Sequence, residues 1–136
     1  MAKTRPLMLQ IATGDPRPII KQITDAVRVK IATGELEPGD QLPTVRGLAR
    51  QLTINPNTVA KAYAELTTEG WLESRQSMGL YVAAPRQRLS DAERDRRLDM
   101  AIDHFIHDVV PLGFSPAEVQ ARVAHGLQQL APRKRA

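Results

Sequence analysis

Cysteine is absent from the 136 residues. That excludes a disulfide framework and any thiolate nucleophile or thiolate-held metal, and it suits a reducing compartment. No apolar run approaches the roughly 20 residues of a membrane-spanning helix. The opening MAKTRPLMLQIATGD carries basic residues but too short an apolar core for an export signal. A cytoplasmic location with no membrane partner is therefore expected. Aromatic residues are scarce, with one Trp, two Tyr and two Phe. Trp71, Tyr81 and Tyr63 fall in separate elements, so they are read as core packing rather than as a base-stacking platform. Repeats and low-complexity tracts are lacking. A nucleophile motif, a phosphate-cradling glycine loop and a paired acid and base are lacking too, so neither enzyme activity nor a cofactor is expected.

What charge there is, is unevenly placed. The formal net charge is +4, but residues 1–86 hold 11 Lys/Arg against 8 Asp/Glu, whereas residues 87–132 hold 5 against 7. Arg133, Lys134 and Arg135 make the end basic again. A mild basic excess of this kind fits a polyanionic partner without requiring one.

The most informative stretch is LPTVRGLARQL, TIN, PNTVAKAYAELTTEG, from Leu42 to Gly70. Val45, Leu48, Ala49 and Leu52 share one helical face, as do Val59, Ala62, Tyr63 and Leu66 after the break. Asn55 is a good N-cap, Pro56 fits the first position of the second helix, and Gly70 fits the position that ends it. This is helix-turn-helix spacing, in which the second helix enters the DNA major groove. If its apolar residues face inward, Asn57, Ala60, Lys61, Ala64 and Thr68 face outward, with Thr58 at the N-terminal end. Asn can pair bidentately with adenine, Lys reaches guanine or phosphate, and Thr reaches phosphate or the thymine methyl. The helix N-terminus also favours a phosphate. An amphipathic helix pair with a merely solvated outer face would show the same periodicity.

LPTVRGLARQLTINPNTVAKAYAELTTEGWL resembles the DNA-binding domain of GntR-type bacterial transcription regulators, and NPNTV…AY.EL in so short a chain is similar to the YtrA subfamily. The likeness runs back through PIIKQITDAVRVKIATGELEPGDQLP and forward through the helical tail. It implies a winged helix-turn-helix and a short helical dimerisation region in place of a larger ligand-binding domain. It also implies that Arg46 reaches DNA; by itself Arg46 reads as a solvated surface charge. Two departures stand out. The wing carries Ser77-Met78-Gly79 where relatives often have a Gly-x-Gly turn, and Pro56 and Ala60 occupy positions where many carry arginine. Base reading is therefore expected from Arg46, Asn57, Thr58 and Lys61, and backbone positioning from Thr44, Asn55, Arg75 and Gln76, with Ser77 and Gly79 completing the wing contact. A fused aminotransferase-like domain, found in another branch, does not fit the length.

The remaining elements follow in order. Residues 7–12 alternate as a short edge strand would, and Gly14 to Pro18 form a turn cluster. Pro18 opens a helix with Ile20, Ile23, Val27 and Ile31 on one stripe, closing at Gly34. Glu37-Pro38-Gly39-Asp40 is a turn, and Thr44 caps the helix after it. Trp71–Arg75 and Leu80–Ala83 read as the two strands of a wing. Ser90-Asp91-Ala92-Glu93 and Ser115-Pro116-Ala117-Glu118 have capping-box spacing. They open two helices with apolar stripes that include Leu98, Ile102, Phe105, Ile106 and Val109, then Val119, Val123, Leu127 and Leu130. Asp103, His104, His107 and Asp108 contain i,i+4 pairs that could hold a metal if they faced inward, but they sit beside the stripe and read as solvated helical pairs.

The fold class expected is mainly α with a small β wing. Residues 1–84 form a winged helix-turn-helix, 85–88 a linker, 89–131 a two-helix dimerisation region and 132–136 a basic tail. Two helices cannot bury both stripes alone, so a second copy is the simplest partner. The function expected is a homodimeric, sequence-specific transcription regulator on a palindromic operator of double-stranded DNA, acting with or against RNA polymerase. The sequence names no small-molecule effector. The alternative is a winged-helix adaptor that docks a protein through the same face.

Overall fold

The computed structural model describes residue 9 and residues 14–75, 79–84 and 89–130. The chain divides into two compact units. The first contains α1 (Ile19–Ala32), α2 (Val45–Leu52), α3 (Pro56–Thr68), β1 (Leu72–Ser74) and β2 (Leu80–Val82). The second contains α4 (Asp91–Val109), a one-turn 3-10 helix (Val110–Leu112) and α5 (Pro116–Gln129). The architecture is thus mainly helical with a two-stranded wing.

The helical stripes meet in one core. Ile23 and Val27 of α1, Leu48 and Ala49 of α2, and Val59, Ala62, Tyr63 and Leu66 of α3 are buried together with Leu36, Leu42, Leu72 and Val82. Ile20 and Ile31, at the ends of the α1 stripe, pack against this cluster half-buried. Both α1 and α2 pack on α3, which makes α3 the central rod. A second tie between α1 and α3 is ionic. The Arg28 guanidinium lies 3.1 Å from Glu65 and 2.9 Å from Glu69, and also meets Asp25 at 3.1 Å.

Two helices of this unit end as expected, with Gly34 and Gly70 at positive φ just past α1 and α3. The end of α2 differs. Thr53 takes the left-handed conformation at φ 58, and it is the one non-glycine residue with positive φ among those described. The Thr53 N–H donates to the Arg50 carbonyl at 3.3 Å and the Ile54 N–H to the Ala49 carbonyl at 3.0 Å, a Schellman pairing. A β-branched residue pays about 1–2 kcal/mol in that region relative to glycine. Thr53→Gly is therefore expected to raise stability by about 1 kcal/mol and the thermal midpoint by several degrees. A thermal melt that falls instead would mean the Thr53 side chain holds the turn.

In the wing, β1 and β2 run antiparallel with Leu72 opposite Val82 and Ser74 opposite Leu80. Both strands are shorter than the sequence suggests, but β2 has a further neighbour. The Leu42 N–H donates to the Leu80 carbonyl and the Val82 N–H to the Asp40 carbonyl, each at 2.8 Å, and Gln41 bridges Tyr81. Asp40, the last residue of the expected turn, and the two residues after it thus cover the outer edge of β2. The Ala83 N–H donates to the Trp71 carbonyl at 3.0 Å and closes the base of the hairpin. Trp71 packs half-buried on the core and Tyr81 is buried.

The second unit is built by its caps. The Ser90 and Ser115 hydroxyls each accept an N–H, from Glu93 and Glu118 respectively, at 3.1 Å. The reciprocal half expected of a capping box is replaced, because both acids turn down the helix. Glu93 meets Arg96 and Arg97, at 2.7 and 2.9 Å, and Glu118 meets Arg122. Hydrogen bonds from Arg96 and then Arg97 hold the Glu93 carboxyl down to about 2. Gly113 at φ 84 turns the chain between α4 and α5. Neither helix has a buried residue.

The strand expected over 7–12, the linker 85–88 and the tail 132–136 lie outside the described residues, except that Leu9 packs half-buried on the core without belonging to a strand.

Candidate nucleic-acid interface

The helix-turn-helix is positioned by two caps and one buried hydroxyl. The Thr44 side chain accepts the Gly47 N–H at 2.9 Å and starts α2. A Cβ at Gly47 would stand only 3.0 Å from that capping oxygen, so glycine leaves the cap undisturbed. The Tyr63 hydroxyl, on α3, donates to the Pro43 carbonyl at 2.9 Å, and burial pushes its pKa well above the usual tyrosine value. Because Pro43 precedes the cap, this bond sets where α2 begins relative to α3 and hence where Arg46 stands.

The outer face of α3 is open. Val59, Ala62, Tyr63 and Leu66 are buried, while Asn57, Ala60, Lys61, Ala64 and Thr68 are exposed and Thr58 is half-exposed. The start of the rod is closed by its own chain, however. The Asn55 side chain accepts the Asn57 N–H at 2.7 Å, the Asn55 carbonyl accepts the Thr58 N–H at 3.0 Å, and Pro56 has no N–H. The amides expected to meet a phosphate are thus already engaged, and attraction for an anion falls to side chains.

Those side chains are unevenly distributed. In this unit Arg17, Lys21, Arg28, Lys30 and Arg75 each meet a carboxylate. Arg46, Arg50 and Lys61 make no ion pair among the described residues, and all three are exposed on the helix-turn-helix. An open concavity between α2 and α3 is lined by Arg46, Arg50, Thr53, Ile54, Asn55 and Pro56, among others. Arg50 is not one of the residues that the sequence pattern marks as a DNA contact. Its spacing of four from Arg46, on the face opposite Leu48, is the signal that could have found it.

Two of the wing residues, Arg75 and Gly79, are held by their own hairpin. The Arg75 guanidinium is 3.0 Å from Glu73 and 4.3 Å from the centre of the Tyr81 ring, so it lies back on its own strands. Gly79, at φ 104, accepts the Arg75 N–H at 3.2 Å, and a Cβ there would come within 3.1 Å of the Gln41 side chain. Its glycine is explained by the turn. Gln76 and Ser77 lie outside the described residues.

On α4, His107 Nδ1 is 2.8 Å from the Asp103 carbonyl oxygen and 3.6 Å from its carboxylate, both on one exposed face. Among the described residues no group of three or more His, Cys, Asp or Glu converges on a point. Nor is any helix there long and apolar enough to cross a membrane. Of the residues assigned to dimerisation, Val109 and Val119 are half-buried, whereas Leu98, Ile102, Phe105, Val123 and Leu127 are 40–63% exposed.

Known proteins share this sequence pattern and this fold. Residues 19–82 match the family described as bacterial regulatory proteins, gntR family. The chain is similar to the uncharacterized HTH-type transcriptional regulator YhcF of Bacillus subtilis, 32% identical over 103 residues that cover 76% of this chain and 84% of YhcF. It is 42% identical over 76 residues to the HTH-type transcriptional repressor YtrA of the same organism, covering 56% of this chain and 58% of YtrA. A solved structure, titled a transcriptional antiterminator from Listeria monocytogenes, aligns with a TM-score of 0.79 at 26% identity, over 95% of this chain and 96% of that one.

Proposed function

Because the chain belongs to the gntR family of bacterial regulatory proteins, and is therefore a DNA-binding transcription regulator and not an enzyme, we propose that it works as a homodimer on a palindromic operator in the cytoplasm. The observation that carries this reading is the contrast within the first unit. Arg17, Lys21, Arg28, Lys30 and Arg75 are satisfied by carboxylates, whereas Arg46, Arg50 and Lys61 are not, and Arg46 and Lys61 are held out beside a small, polar α3 face. In this reading Arg46, Asn57, Thr58 and Lys61 meet base edges, and Thr44, Asn55 and the wing residues Arg75, Gln76, Ser77 and Gly79 adjoin the backbone. Pairing Arg28 with Glu65 and Glu69 offsets the acids at the far end of α3, which would otherwise repel phosphate.

The second unit supports the dimer. Two amphipathic helices with no buried residue gain little from folding alone, whereas covering an Ile, Leu or Phe contributes about 1.5–3 kcal/mol each. A second copy supplies the same stripe and sets two α3 rods about a two-fold axis, which matches inverted half-sites. Occupying such a site positions or excludes RNA polymerase.

The test is binding to an operator selected from random duplexes and to a scrambled duplex. Arg46→Ala and Lys61→Ala are each expected to remove about 1–3 kcal/mol of discrimination between the two if the contact is bidentate to a base. Equal losses on both duplexes would reassign the residue to phosphate. Weak, sequence-blind binding by the unaltered protein would overturn the regulator reading in favour of a protein-docking adaptor.

A further inference from the structure

Among the described residues no ion-pair partner accounts for Arg50. It is exposed in the last turn of α2, makes no ion pair among the described residues, and stands one helical turn from Arg46. Both arginines line the open concavity that the turn Thr53-Ile54-Asn55-Pro56 also lines. Elsewhere in this unit an exposed arginine is drawn to a carboxylate, as Arg17 is to Asp15 and Asp25.

The start of α3 sharpens the point. A helix N-terminus beside DNA commonly offers its free amides to a phosphate, but here Asn55 uses the Asn57 and Thr58 amides and Pro56 has none. The rod enters the groove with its own end closed, and the polyanion beside it must be met by side chains. Arg46 and Arg50 are the cations that line this side of the turn. A guanidinium presents a planar fork of donors suited to phosphate oxygens.

We propose that Arg50 clamps a backbone phosphate of the duplex at the mouth of this concavity, replacing the amide contact that the self-capped start of α3 gives up. The inference rests on the DNA-binding reading above and adds to it a positioning residue that carries no sequence information. Arg50 therefore acts on affinity and salt dependence, and Arg46 on discrimination. The competing account is that Arg50 only offsets the negative end of the α2 dipole.

Arg50→Ala and Arg50→Lys in the full-length chain separate these accounts. The probes are an operator duplex selected from random sequence and a scrambled duplex, each titrated at several salt concentrations, with thermal midpoints measured alongside. For Arg50→Ala the affinity is expected to fall about five- to tenfold near 0.1 M salt on both duplexes, with the slope of log K against log salt shallower by about 0.9. Arg50→Lys should recover most of the slope. An unchanged slope in Arg50→Ala, whether or not the melt shifts, would overturn the proposal. So would a loss confined to the operator. If no operator can be selected, the regulator reading fails, but the scrambled duplex still reads the phosphate contact directly.

Discussion

Phe105→Asp is expected to leave the protein monomeric at micromolar concentration and to lower operator affinity by about 100-fold or more. Phe105 is 41% exposed in the single chain, beside Ile102 and Ile106 at 46% each. In a two-fold interface each substitution places an ionised carboxylate against apolar surface in both protomers. An unpaired buried charge costs several kcal/mol, enough to cancel what one aromatic anchor contributes. Each monomer would then hold one half-site without help from the other. Sedimentation of the variant gives the oligomeric state. Circular dichroism should show the first unit folded, because its described core cluster is drawn from residues 9–82. A variant that stays dimeric would place the interface elsewhere.

Leu66→Ala is the second large effect, and it acts on folding rather than on assembly. Leu66 is fully buried on α3, within the cluster that α1, α2 and the wing share. Removing its isobutyl group leaves a cavity beneath the central rod and is expected to cost about 2–5 kcal/mol. For a unit of this size that lowers the thermal midpoint by roughly 10 °C or more. Operator binding should be lost over the same temperature range. A melt within a few degrees of the unaltered protein would mean that the core closes around the cavity.

Features set by local side-chain chemistry were legible in the sequence. Thr44, Asn55, Ser90 and Ser115 each cap a helix as their spacing implied, and the α3 stripe of Val59, Ala62, Tyr63 and Leu66 is buried as its period implied. What escaped depends on partners far along the chain or on conformations that residue type does not announce. Thr53 is a poor candidate for a left-handed residue, yet Ala49 and Arg50 carbonyls draw it there. Asp40 to Leu42 acquire a strand-like role only because β2 arrives some 40 residues later. Arg75 reads as a free cation until Glu73 and Tyr81 are folded beside it. In both capping boxes the acid at the third position had a choice, and an arginine one turn on took it.

The closed start of α3 also bears on how fast a site is found. Asn55 completes the start of the rod from within, so this end of α3 needs no partner to form when the duplex arrives. Encounter should then be governed by long-range attraction between the unpaired cations and the polyanion, quick at low ionic strength and slower as salt is added. Residence time, not arrival, would distinguish the right sequence from the wrong one.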